Sequence, residues 1–238
     1  MRKRRILFTL GSLLLVWLAW LIFWPLNEPR HQGRYLSEWL ATCIAAPAQS
    51  SEHTAATLAI QTIGTNAIPH LLQWIGNAEP AKWRVALYSL HGLLPTRLQD
   101  NRIMMRLFSG PARRAHYATK GFAIFGTNAV SAIPELEAML KDQTRTEAAY
   151  HAAHALWSLG EPGLAALQRT FADTNLSHRW LIAYPLAMAA RDGSTNGVPL
   201  LLQGLNDQDT KVRQTVEGIV MHYVPALWMA NETNPPSK

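Results

Sequence analysis

A single cysteine, Cys43, stands in 238 residues, so an internal disulfide cannot form and a disulfide scaffold is excluded. Charge is scarce too. Asp, Glu, Lys and Arg make up 16% of the chain, well under the usual quarter. With 48% hydrophobic residues, this excludes a wholly disordered chain, which needs low hydrophobicity and high net charge. No stretch alternates apolar and polar residues over a useful strand length, which leaves an all-α reading. A glycine-rich phosphate loop, a cysteine pair and a Gly-x-Ser-x-Gly elbow are all missing.

What is present begins with the N-terminus. Arg2, Lys3, Arg4 and Arg5 precede nineteen uncharged residues, Ile6 to Trp24, and then Pro25. At about 1.5 Å per residue the run spans about one hydrocarbon core. Trp17, Trp20 and Trp24 cluster in its second half, which suits a membrane–water boundary. A cleaved secretory signal is the rival reading, and a buried core helix is a third. A signal's apolar stretch is normally about 7–15 residues and ends in a small-x-small site. Here it ends Ile22-Phe23-Trp24-Pro25. Leu40-Ala41-Thr42-Cys43 lies too far downstream to act as a lipoprotein acylation box. Basic residues stay cytoplasmic, so residues 1–5 are expected inside, residues 6–24 across the cytoplasmic membrane, and the rest exported. In a diderm bacterium that places the rest in the periplasm.

The exported part repeats. Four apolar stretches run into glycines at 64, 126, 160 and 193, spaced 62, 34 and 33 residues apart. The first gap is nearly two units, so a degenerate copy is expected near Gly92. Glycine takes the left-handed conformation that stops a helix. Asn or Ser follows as an N-cap candidate, then Pro69, Pro134, Pro162 or Pro199 in a first helical turn. Each unit reads helix, tight turn, helix, and neighbours must stack to bury their apolar faces.

These residues resemble HEAT repeats of the armadillo-like helical superfamily. Leu205-Asn206-Asp207-Gln208-Asp209-Thr210-Lys211-Val212-Arg213 is similar to the opening of a HEAT first helix, and Asp173 and Arg179 repeat the separation of Asp207 and Arg213. The resemblance implies a right-handed α-solenoid of about five or six helical pairs over residues 50–224, with Asp and Arg side chains bridging adjacent units. It departs from the pattern at Leu94–Gly110, where cap and glycine signals are poor, and at Pro185. Gly33-Arg34-Tyr35-Leu36-Ser37-Glu38-Trp39-Leu40 is similar to a signature of membrane-anchored bacterial HEAT-repeat proteins. Leu36, Trp39 and Leu40 form an i, i+3, i+4 face suited to a capping helix at 35–47, after a linker at 25–34. Residues 225–238 read as a C-terminal cap and polar tail.

Candidate chemistry is thin. Glu147, His151 and His154 have helical spacing that could line one side of a metal, but they flank the core stripe of a repeat, so no metal and no cofactor is expected. Cys43 lacks any nucleophile signature around it. The formal net charge of +6 suggests nucleic acid. Beyond residue 5, however, the chain carries 18 bases and 16 acids. The remaining charge is polarised. Residues 82–120 carry +7 and residues 121–238 carry −3. Arg84, Arg97, Arg102, Arg106, Arg113, Arg114 and Lys120 are therefore the candidate interaction surface, for an acidic partner or anionic headgroups. A solvated outer face is the plainer account. The expected function is a membrane-anchored, non-catalytic scaffold for a protein or peptide. The alternative is a HEAT-like enzyme, such as the HEAT-like DNA glycosylases, or a nucleic-acid or anionic-ligand binder using residues 82–120. An exported domain argues against nucleic acid.

Overall fold

The computed structural model describes residues 28–80, 102–194, 197–227 and 229, with residues 102–109 described at the backbone alone. The chain is mostly helical, as expected of an all-α protein. A two-stranded antiparallel hairpin, β1 (Arg30–His31) and β2 (Arg34–Tyr35), leads into α1 (Leu36–Ala45). Leu36, Trp39 and Leu40, the apolar face read from the sequence, are buried, and α1 packs on the next two long helices.

Helical pairs follow. They are α2 (Ser51–Ile63) with α3 (Ile68–Gly76), α4 (Arg102–Phe125) with α5 (Ile133–Lys141), and α6 (Thr146–Ser158) with α7 (Glu161–Ala172). Then come α8 (Ala183–Arg191) with α9 (Val198–Leu205), and α10 (Thr210–Tyr223). First helices pack in one layer, α4 on α6, α6 on α8 and α8 on α10. Second helices pack in the other, α3 on α5, α5 on α7 and α7 on α9. One apolar core runs between the layers from Leu36 to Val220.

The glycines lie at helix ends, as expected, though not all in the left-handed helical conformation. Gly64, Gly126, Gly160 and Gly193 all have positive φ. Gly64 (φ 65°, ψ −153°) and Gly160 (φ 72°, ψ −151°) share a conformation essentially reserved for glycine. Pro69, Pro134, Pro162 and Pro199 sit in the first turn of their helices. The expected Asn and Ser N-caps do not form. The N-cap residues of α3 and α5 are Ala67 and Ala132, with no side-chain cap. Asn66 and Asn128 lie inside 3-10 segments, Gly64–Ala67 and Gly126–Ala132. The 3-10 segments run on past both residues, with a kink at Ala129 (φ −106°, ψ 20°), so the cap positions fall later, on Ala67 and Ala132.

Two departures from the repeat pattern have local causes. Pro185 is tolerated because Arg179–Ile182 is a 3-10 segment and α8 starts only at Ala183. Pro185 then falls in a first turn, where its missing N–H is no loss. At Gly110–Pro111 the helix does not break, and Pro111 lies inside the 24-residue α4. The copy expected near Gly92 lies outside the described residues, while α3 packs directly on α4. Among the described residues no helix is long and apolar enough to cross a membrane. Residues 6–24 and the basic residues Arg2, Lys3, Arg4 and Arg5 lie outside the described residues.

Candidate interaction surface

Among the seven basic candidates, Arg84 and Arg97 lie outside the described residues, and Arg102 and Arg106 are described at the backbone alone. Arg113, Arg114 and Lys120 are half-buried on α4. At about 100° per residue, positions 102, 106, 113 and 120 fall within about 40° of one another. They stand roughly opposite Ala115, Ala118, Phe122 and Phe125, the face α4 buries. Arg114 is turned toward α3 and the start of the described chain. Its Nη2 lies 3.7 Å from Glu28 Oε1, and its guanidinium lies 6.0 Å from the Trp74 ring. Glu28 is itself buried, its side chain 4% exposed, and its other oxygen accepts the Ser37 N–H at 3.1 Å.

A second surface was not singled out by sequence reasoning. Tyr150 of α6 lies 4.5 Å from His154 and 5.2 Å from His151, ring centre to ring centre. His154 lies 5.3 Å from Tyr184 of α8, which lies 5.3 Å edge-on from Tyr223 of α10. The rings form a row across three successive first helices. Tyr150 is 43% exposed and the other tyrosines of the row are half-buried. Desolvation, with Tyr184 and Glu147 nearby, pushes the Tyr150 phenol above its ordinary pKa. The signal was available, since Tyr117, Tyr150 and Tyr184 stand 33 and 34 residues apart. This is the repeat period.

The Glu147, His151 and His154 trio does not converge. His151 Nδ1 pairs with Thr119 Oγ1 of α4 at 3.1 Å, while His154 stacks among Tyr150, Tyr184 and Trp157. Burial, followed by the neighbouring His154 and His116, lowers the His151 pKa to about 4. Among the described residues no group of three His, Cys, Asp or Glu side chains is placed to hold a metal ion. Cys43 is 2% exposed, with Sγ 3.4 Å from His53 Nε2 and 3.7 Å from Thr57 Oγ1. This is an interior contact between α1 and α2.

Side chains also join successive units at a nearly constant sequence interval. Thr119 meets His151, Glu137 accepts from Arg169, Gln143 Nε2 donates to the Asn175 carbonyl, and Thr146 meets His178. Each pair is 32 residues apart. Arg179 reaches Asp207 in a two-pronged pair at 2.6 and 3.0 Å, with both side chains under 10% exposed. Two contacts span about two intervals. Arg145 Nη1 donates to the Gly76 carbonyl that ends α3, and the Glu147 N–H at the start of α6 donates to Glu79. A groove of about 340 Å³ opens between α3 and α5, lined by Gln73, Asn77, Glu135 and Arg145 among others. No protein-family model, curated protein or solved structure matches the chain.

Proposed function

We propose that this chain is a membrane-anchored, non-catalytic scaffold, a HEAT-like α-solenoid held outside the cytoplasmic membrane to bind a protein or peptide. The observation that carries the reading is the set of 32-residue side-chain bridges. A stack of like units joined each to the next exposes an extended surface. The repeated Gly-to-Pro turns and the Arg179–Asp207 bridge support the HEAT likeness. Residues 6–24, with Arg2 to Arg5 before them, supply the anchor and its orientation. The described residues hold four helical pairs, and α10 opens a further unit.

The tyrosine row is the face best suited to a protein partner. Tyrosine and tryptophan are enriched at interface hot spots because each brings a large rigid ring and a polar edge. Tyr150, the most exposed of the row, can lose its ring without opening the core. The test is crosslinking of the full chain in its native membrane, followed by affinity recovery. A specific partner recovered with the wild type, and lost with Tyr150→Ala at an unchanged melting temperature, supports the scaffold reading. Recovery of no specific partner sinks it.

A further inference from the structure

We infer that the groove between α3 and α5 holds a short extended segment of a partner polypeptide, with an arginine or lysine of that segment against Glu135. The groove lies between second helices, whereas the tyrosine row crosses the first helices. It is a separate contact surface made of different residues. It exists because of a gap in the stack. Ile68 opens α3 and Ile133 opens α5, about two repeat intervals apart. Elsewhere in this layer the neighbours close on each other. Arg169 of α7 donates to Glu137 of α5 at 3.0 Å, and a Cβ on Gly204 of α9 would stand 3.0 Å from the Phe171 ring of α7. Among the described residues no side-chain hydrogen bond or ion pair joins α3 to α5.

The lining is part apolar and part unsatisfied. Leu72 and Met139, 7% and 8% exposed, form its floor. Gly76 adds no side chain, and a Cβ there would meet Met139 Cε at 3.4 Å. Gln73 and Asn77 wall it from α3 and Glu135 from α5, and all three are exposed. Among the described residues their side chains have no hydrogen-bond or ion-pair partner. Arg145, at the margin, is already engaged. Its Nε donates to Asp142 at 2.7 Å and its Nη1 to the Gly76 carbonyl at 3.1 Å. Glu135 is thus the unpaired charge that lines the groove.

These groups select the occupant. Each side-chain amide offers two donors and an acceptor. Four residues apart, Gln73 and Asn77 stand on one side of α3, about 6 Å from each other along its axis. An extended chain presents its same-side N–H and C=O groups about 6.6 Å apart. Both amides can therefore pair with alternate residues of one extended segment running along α3. A docked helix has bonded its backbone groups internally and brings none to these amides. Charge sets the side chain. Glu135 attracts a cation and repels phosphate or carboxylate, which excludes a nucleic acid or an acidic peptide from this groove.

The full chain in detergent micelles is passed over resin-bound peptides of about eight residues, built from Ala, Ser, Thr and Val with one central position set to Arg, Lys, Gln or Glu. The Arg and Lys peptides are expected to retain it about fivefold better than the Gln peptide, the size of an exposed ion pair. The Glu peptide should retain it least. Glu135→Gln should erase the preference for Arg over Gln. Gln73→Ala with Asn77→Ala should weaken all four peptides alike and leave that preference intact. Ala138 is exposed on the groove wall, so Ala138→Trp should fill the groove and abolish retention at an unchanged melting temperature. Equal retention by the Arg, Gln and Glu peptides overturns the inference. So does an Arg preference that survives Glu135→Gln, which would place the cation elsewhere. Retention on a resin-bound oligosaccharide and on none of the peptides overturns it in favour of a glycan. None of these outcomes touches the partner recovered through Tyr150, so the scaffold reading stands or falls by its own test.

Discussion

Arg179 and Asp207 show how one side-chain pair serves the stack. Arg179 is 4% exposed and donates both Nη atoms to Asp207, which also accepts the Asp209 N–H. Arg213 donates to the Asp207 carbonyl, so two arginines from successive units converge on one turn. Breaking a buried pair leaves an uncompensated charge, and Arg179→Ala should lose about 3 kcal/mol in urea unfolding at pH 7. The Arg179 hydrogen bonds hold the Asp207 carboxyl below the usual aspartate range. That stabilisation is complete above an unfolded value near 4. It is lost as pH falls through the lower folded value, so the gap between wild type and Asp207→Asn should narrow between pH 5 and the acid limit. His151 has the same sign for a different reason. Its folded pKa is about 4, lowered first by burial, against an unfolded value near 6.5. Protonation therefore favours the unfolded chain. Stability should fall as pH drops from about 6.5 to about 4, by an amount approaching 3 kcal/mol. His151→Gln should flatten that slope in melts taken across the range. A slope unchanged by the substitution would place the titration elsewhere.

At the scale of the helix, close approach decides tolerance. A Cβ on Gly163 would stand 1.9 Å from the Leu156 carbonyl oxygen, because α7 crosses the end of α6 there with backbone against backbone. Backbone cannot swing aside as a side chain can, so Gly163→Ala should cost about 3 kcal/mol or more. Leu159 is fully buried in the same crossing, and Leu159→Ala should cost about 2–5 kcal/mol in a thermal or urea melt. An unchanged melt in either variant would mean the α6–α7 crossing is wrongly placed. The ends of these helices were legible in the sequence. Gly64, Gly126, Gly160 and Gly193 can adopt the positive φ that the turn requires, and a proline a few residues later opens the next helix. The caps were not legible, since Asn66 and Asn128 have the right chemistry but lie inside 3-10 segments that move the cap positions on to Ala67 and Ala132. Nor was the length of α4. Cap and glycine signals are poor over Leu94–Gly110, and nothing there foretells a helix that runs from Arg102 through Pro111 to Phe125. Its apolar stripe of Ala115, Ala118 and Phe122 continues to bury against neighbours, and packing of that kind can outweigh a single missing hydrogen bond.

At the scale of the molecule, the period was readable and the bonds that enforce it were not. The bridging pairs recur at one interval but in changing chemistry: hydroxyl to imidazole at Thr119–His151, guanidinium to carboxylate at Arg169–Glu137, amide to carbonyl at Gln143–Asn175. A search for repeated residue types passes over them. A search for complementary types one period apart would find them. Whether the basic candidates converge was not legible in the sequence. Arg113 and Lys120 share one side of α4, while Arg114 turns toward Glu28 and Trp74. The proposed anchor implies an orientation: with Arg2, Lys3, Arg4 and Arg5 on the cytoplasmic side, the domain that follows it faces outward. A C-terminal tag should be open to added protease in intact spheroplasts. Replacing all four basic residues by Gln should raise the protected fraction severalfold. Only Arg30 and Arg34 would remain near the span, and they lie on its far side, where the positive-inside rule draws them inward. A tag that is protected in the wild type would place the domain on the cytoplasmic side and remove the premise of an exported scaffold.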